Sequence, residues 1–117
     1  MNLKYKKAAK AKLLQQERAW TVIHACLDKP VWVHPGETAV IPSGVEPEVP
    51  TELVGLLCSE PAGGLELAQG QLWDADSKEY AVSVRNVTQD RIRIEHGQSI
   101  ARLVMLPWYP VKWKEAV

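Results

Sequence analysis

From Trp20 onward the apolar residues come in runs of four to seven, each closed by turn-forming residues, which is the grammar of antiparallel strands. Residues 21–27 stop at Asp28-Lys29-Pro30, residues 31–34 at Pro35-Gly36, and residues 38–41 at Pro42-Ser43-Gly44. Residues 45–49 alternate apolar with acidic side chains before Pro50, whereas residues 53–58 are almost continuously apolar, as a buried strand would be. Glu60-Pro61-Ala62-Gly63-Gly64 can hold no regular element. After it, residues 65–73 and 80–84 flank Asp74-Ala75-Asp76-Ser77-Lys78 as the predicted arms of a hairpin. In residues 91–95 the isoleucines fall on one face and the charges on the other, and residues 100–106 make the last strand before Pro107. About eight or nine strands at this spacing predict a sandwich or barrel.

Before Trp20 the pattern is different. Residues 3–20 are strong helix formers without Gly or Pro, yet they build no sustained apolar face. A loosely attached helical or disordered arm is the expectation. The predicted layout is therefore a basic arm or linker over residues 1–19, a β domain over 20–107 and a tail over 108–117.

Composition narrows the class. A chain of 117 residues, 46% of them hydrophobic, suits one globular domain with a core. No run approaches the roughly 20 apolar residues that cross a bilayer. The lysine-rich N-terminus lacks the apolar stretch of a secretory signal, so an intracellular protein with no membrane partner is expected. Cys26 and Cys58 lie in apolar surroundings and read as core thiols. Zero formal net charge excludes a global field that would recruit nucleic acid or anionic lipid. Locally, Lys4, Lys6, Lys7, Lys10, Lys12 and Arg18 are opposed only by Glu17 in the first 18 residues, a basic arm able to grip phosphates. His24, His34 and His96 have no metal-ligand spacing and read as structural histidines.

Three segments carry a resemblance. Pro35-Gly36-Glu37-Thr38-Ala39-Val40-Ile41-Pro42-Ser43-Gly44-Val45, followed by Glu48-Val49-Pro50, is similar to a strand, Pro-Thr-Gly turn and strand of the trimeric dUTPase family. Val54-Gly55-Leu56-Leu57 resembles the strand that leads into that family's phosphate loop. Gly97-Gln98-Ser99-Ile100-Ala101-Arg102-Leu103-Val104 resembles its Gly-x-Arg-Ile-Ala-Gln-Leu-Val element, with Asn86 upstream in the family's place. The resemblance covers residues 20–107. It implies a dUTPase-like all-β barrel or jelly-roll sandwich and a homotrimer with active sites between subunits.

The chemistry departs from that pattern. Hydrolysis between the α and β phosphates needs a metal, cationic donors and a water-orienting carboxylate. Where the family has a first-strand Asp, this chain has Thr21-Val22-Ile23-His24-Ala25. Where the family has Pro-Arg-Ser-Gly, it has Ser59-Glu60-Pro61-Ala62-Gly63-Gly64, with a carboxylate near the position of the Arg. Such a carboxylate repels a triphosphate. Asp74 and Asp76 lie in the uracil-hairpin region, but no Tyr follows before Tyr80; Arg102 replaces a Gln; and residues 107–114 contain no glycine to wrap a phosphate.

The resulting expectation is a catalytically degenerate dUTPase-fold domain serving as a homotrimeric structural, assembly or interaction module, by analogy within a retroelement or viral polyprotein. It needs no cofactor and no small-molecule substrate. Trp108, Tyr109 and Trp113 are its expected inter-subunit contacts. The alternative is a divergent dUTP or nucleotide diphosphatase that releases pyrophosphate. Asp74 or Asp76 would be catalytic, Gly63, Gly64 and Arg102 would bind the nucleotide, Arg85 could supply charge, and magnesium would be required. The bland reading of the two aspartates is turn chemistry, and of the Gly pair a plain loop. A second alternative is nucleic-acid binding through the basic arm.

Overall fold

Apolar residues sit at every second position of the long strands, so each strand has one face to bury, and two sheets close over the shared core. The structure is a computed structural model that describes residues 1–60, 63–68 and 71–117. These residues form twelve strands: β1 (Tyr5–Lys7), β2 (Gln15–Glu17), β3 (Trp20–His24), β4 (Val31–Val33), β5 (Thr38–Pro42), β6 (Val45–Pro47), β7 (Leu53–Ser59), β8 (Leu65–Leu67), β9 (Leu72–Trp73), β10 (Ala81–Asn86), β11 (Ile92–Ile94) and β12 (Ser99–Pro107). All pairings are antiparallel. One sheet runs β2-β3-β12-β7-β9 and a second β5-β10-β8, flanked by the ribbons β1-β6 and β11-β4.

Ile23, Leu57 and Leu103 of the five-stranded sheet meet Ile41, Val82 and Val84 of the three-stranded one, with Val33 and Ile94 closing the end. Gly44 makes the turn from β5 to β6 at φ 68; a Cβ there would stand 2.7 Å from Cys26 Sγ and 2.9 Å from Ala11 Cβ. Both cysteines are free thiols, Cys26 buried and Cys58 half-buried.

Asn86 is the one fully buried amide of this core and uses all its hydrogen-bonding capacity. Its Nδ2 donates to Val33 O (2.8 Å) and Asp90 O (2.7 Å), and its Oδ1 accepts from Thr88 N (2.8 Å) and Thr88 Oγ1 (2.7 Å). One side chain thereby clamps the β10–β11 turn to β4.

Two expectations change. The N-terminal segment contains no helix; it lies on the body as β1 and β2, with no helix anywhere among the described residues. β1 covers the edge of β6 (Lys6 opposite Glu46) and β2 covers the edge of β3 (Glu17 opposite Trp20). Ala11 is buried, Tyr5 and Leu14 pack on the core, and Arg18 takes φ 46 to turn β2 into β3. Helix propensity of a few tenths of a kcal/mol per residue is outweighed by giving β6 its partner strand and covering the open edge of β3.

The arm expected over residues 65–73 is two strands in different sheets: β8 pairs with β10 and β9 with β7. The buried Trp73, edge-on to Tyr80 with centroids 5.2 Å apart, draws the chain across. Beyond Leu67 the Gln71 side chain continues the β10 ladder, donating to Ser83 O (2.9 Å) and accepting from Ser83 N (3.0 Å). The short strands β1, β2 and β9 account for the larger strand number.

Candidate functional site

Antiparallel pairing sets Arg102 of β12 directly between Val22 of β3 and Cys58 of β7. Opposed residues share a face, so these three point away from the core, onto the outer surface of the five-stranded sheet. Glu60, just past β7, reaches back: its Oε1 lies 3.4 Å from Arg102 Nη2, an ion-pair distance rather than a strong hydrogen bond. The Arg102 guanidinium carbon stands 4.4 Å over the Trp20 ring. Arg102 Nε and Trp20 Nε1 are buried without an acceptor. His24, beside them, is held below the usual histidine range by burial and by the Lys12 charge, against the pull of Glu17 and Glu60.

The structure therefore brings together the first-strand stretch 21–25, where the resemblance expects an acid, and the positions near which it expects a guanidinium and an amide, Glu60 and Arg102. Val22 is the residue of that stretch that pairs with Arg102. A divalent cation wants several oxygen ligands. Val22 offers none, Glu60 is turned to Arg102, and no group of three or more His, Cys, Asp or Glu able to hold a metal occurs among the described residues. These residues do not fit a magnesium–triphosphate complex.

Asp74 and Asp76 lie elsewhere. They follow β9 at the far edge of the sheet, with β7 between them and β12. Asp74 Oδ1 accepts from Asp76 N (2.9 Å), Asp74 N donates to Ser77 Oγ (2.9 Å), and the Tyr80 hydroxyl donates to Ser77 O (3.1 Å). These are the bonds of an Asx turn. Burial, with Glu46 and Asp74 adding to it, raises the Tyr80 hydroxyl above its ordinary value, and its ring is spent on Trp73.

Of the glycine pair, Gly64 is structural. A Cβ there would meet Thr88 Cγ2 at 2.4 Å, and its carbonyl accepts from Val87 N (3.2 Å). Gly63 takes φ 94 in open space, while Pro61 and Ala62 of the expected loop lie outside the described residues. Arg85 faces Glu66 and Thr38 across β10.

The basic arm is spread over the body. Lys4 O accepts from Glu48 N, Lys6 faces Glu46, Lys7 Nζ donates to Ala8 O and Ala9 O, Lys10 pairs with Asp28, Lys12 lies against Gly97, and Arg18 makes a turn.

What sequence reasoning missed is the outer face itself. Val104 pairs with Leu56 and Leu56 with Leu72, while Leu106 pairs with Val54, giving contiguous apolar rows in water. Leu72 is 56% exposed, Leu106 41% and Trp108 47%, with Tyr109 and Trp113 projecting beyond. The signal was legible in β12, where Val104 and Leu106 leave both faces of one strand apolar.

A family model described as dUTPase matches residues 11–115. The deoxyuridine 5'-triphosphate nucleotidohydrolase of Desulfotalea psychrophila is 30% identical over 99 residues, covering 78% of this chain and 65% of that protein. The enzyme of the same name from an Azoarcus species is 34% identical over 93 residues, 73% of this chain and 62% of its own length. The chain thus spans a little under two thirds of these relatives. Among solved structures, the dUTPase of Staphylococcus bacteriophage 80alpha superposes with a TM-score of 0.83 at 22% identity, covering 98% of this chain and 96% of that one. The dUTPase of S. aureus phage phi11 gives 0.84 at 19%, covering 99% and 96%.

Proposed function

This chain belongs to the dUTPase family, and from that premise we propose that it is a member whose phosphate-binding positions now satisfy one another, leaving a self-associating domain that does not hydrolyse nucleotides. The observation that carries this reading is Glu60 against Arg102 beside Val22: this guanidinium is already engaged by a carboxylate, and the first-strand stretch 21–25 offers no acid to a metal. Homotrimerisation is supported by the exposed rows of Val104, Leu106, Leu56, Leu72 and Trp108, an apolar surface that a monomer would leave in water. Trp108, Tyr109 and Trp113 extend it toward a neighbouring copy. A viral or retroelement polyprotein is the setting proposed for such a module, by analogy alone. The arm as a nucleic-acid grip has less behind it, because Lys10 is taken by Asp28 and Lys6 faces Glu46.

The test is magnesium-dependent pyrophosphate release from dUTP and the other deoxynucleotides, beside an Asp74→Ala/Asp76→Ala double variant, with solution mass by light scattering at micromolar concentration. We expect no turnover and three times the chain mass. Turnover that the double variant abolishes would establish a divergent hydrolase instead; a strict monomer would end the assembly reading.

A further inference from the structure

The β4-β11 ribbon turns Val33 and Ile94 into the core and Trp32 outward, where 45% of the residue stays exposed. Arg93 lies directly opposite Trp32 in the pairing, and Arg91 stands on the same face. Both guanidinium groups lie over the indole, Arg91 Cζ at 4.3 Å from the ring centroid and Arg93 Cζ at 5.8 Å. Arg93 also pairs with Glu95 (3.2 Å), whereas Arg91 makes no ion pair among the described residues. Two like charges held on one exposed ring are an arrangement that folding does not require.

The platform is rigid. Asn86 fixes the carbonyls of Val33 and Asp90, the neighbours of Trp32 and Arg91. Lys12, packed against Gly97 just past β11, adds a cation at the ribbon's end. The chain has no net charge, so a polyanion would have to find a local excess, and this face has one.

We propose that the outer face of the β4-β11 ribbon binds single-stranded nucleic acid. A base stacks on the Trp32–Arg91 pair, Arg91 takes one flanking phosphate, and Arg93 takes the other by exchanging its solvent-exposed pairing with Glu95 for it. The two arginines are i, i+2 on one face of the strand, so both guanidinium groups reach the same side of the ribbon. An acidic peptide would answer the charge but has no use for an exposed indole; a nucleic acid uses both.

Fluorescence anisotropy of a labelled oligothymidylate of about 12 nucleotides tests this at low and moderate salt. Two phosphate contacts predict a log–log salt slope of about −1.4, falling to about −0.7 in Arg91→Ala. Trp32→Ala should weaken binding about tenfold or more and Trp32→Phe much less. A Lys4→Ala/Lys6→Ala/Lys7→Ala variant should bind like the parent. Thermal melts of each variant establish that the surface changes leave the fold intact. Absence of binding at low salt overturns the proposal. It is equally overturned if base-free polyphosphate or polyglutamate binds as tightly as the oligonucleotide, or if Trp32→Ala leaves oligonucleotide affinity unchanged.

Discussion

Replacing Asn86 by Ala removes four hydrogen bonds of 2.7–2.8 Å from a side chain with 0% exposure. The bond to Val33 O is buried, and a buried carbonyl that loses a partner costs about 1–3 kcal/mol. Asp90 O and the Thr88 groups are reached by water once the amide is gone, so each loses about 0.5 kcal/mol. The sum is about 3 kcal/mol, a melting shift of about 10 °C or more for a domain of this size. Urea and thermal unfolding at one fixed protein concentration give the number, since any self-association would add to apparent stability. Asn86→Asp keeps the acceptor for Thr88 but points a carboxylate at two carbonyls. It should cost at least as much at pH 7 and recover part of the loss as the acid protonates and regains a donor. A loss below about 1 kcal/mol for Asn86→Ala would show that the clamp does not hold the ribbon and would refute the reasoning.

Gly44→Ala should cost about 3 kcal/mol, from left-handed strain plus a Cβ driven against Cys26 and Ala11, whereas Gly36→Ala, at φ 78 with open space around it, should cost only the strain of about 1 kcal/mol; equal losses in chemical denaturation would mean that packing at Gly44 is irrelevant. His24 has its folded-state pKa lowered, so between that value and the unfolded 6.5 the unfolded chain binds the extra proton. Stability from this group is therefore complete above about pH 6.5 and falls as pH drops toward the folded value, and His24→Gln should flatten that part of a stability–pH curve. Leu72→Asp and Leu106→Asp place charges on side chains already exposed, and should reduce solution mass at micromolar concentration with little change in the melting of the dissociated chain.

The strands with the strongest patterns were legible for different reasons, β11 by alternation and β7 and β12 as apolar runs, each bounded by turn residues or proline. β1 and β2 were not. Their residues favour a helix locally, and only an unpaired β6 and the open edge of β3, a tertiary fact, make them strands. β8 and β9 were merged because nothing in the alternation reveals that Trp73 must enter the core on the far sheet. At the site, the departures in the stretch 21–25 and at Glu60 and Arg102 could be read from the sequence. Their mutual contact could not, because Glu60 and Arg102 are 42 residues apart in sequence. The Trp32 platform escaped notice for the same reason: a lone Trp and two arginines mean little until pairing stacks them.

Glu60 and Arg102 form one coupled pair rather than two separate side chains. At an effective dielectric of 20 and about 5 Å, one unit charge contributes about 3 kcal/mol to holding a phosphate charge. Glu60 carries the opposite sign, and Arg102 offsets it, leaving the pair neutral toward a polyanion. As a surface interaction the pair itself is worth little, about 0–1 kcal/mol, with a similar amount for the Trp20 stack, so stability alone does not account for it. Its weight lies in what each partner prevents: a half-buried guanidinium with an orphan Nε, or a half-buried carboxylate, left alone. A double-mutant cycle separates these views. Glu60→Ala should cost about 1–2 kcal/mol, because Arg102 is stranded over Trp20, and Glu60→Ala/Arg102→Gln should cost less than Glu60→Ala by itself. If the two changes simply add, the residues act independently, and the coupling between them falls.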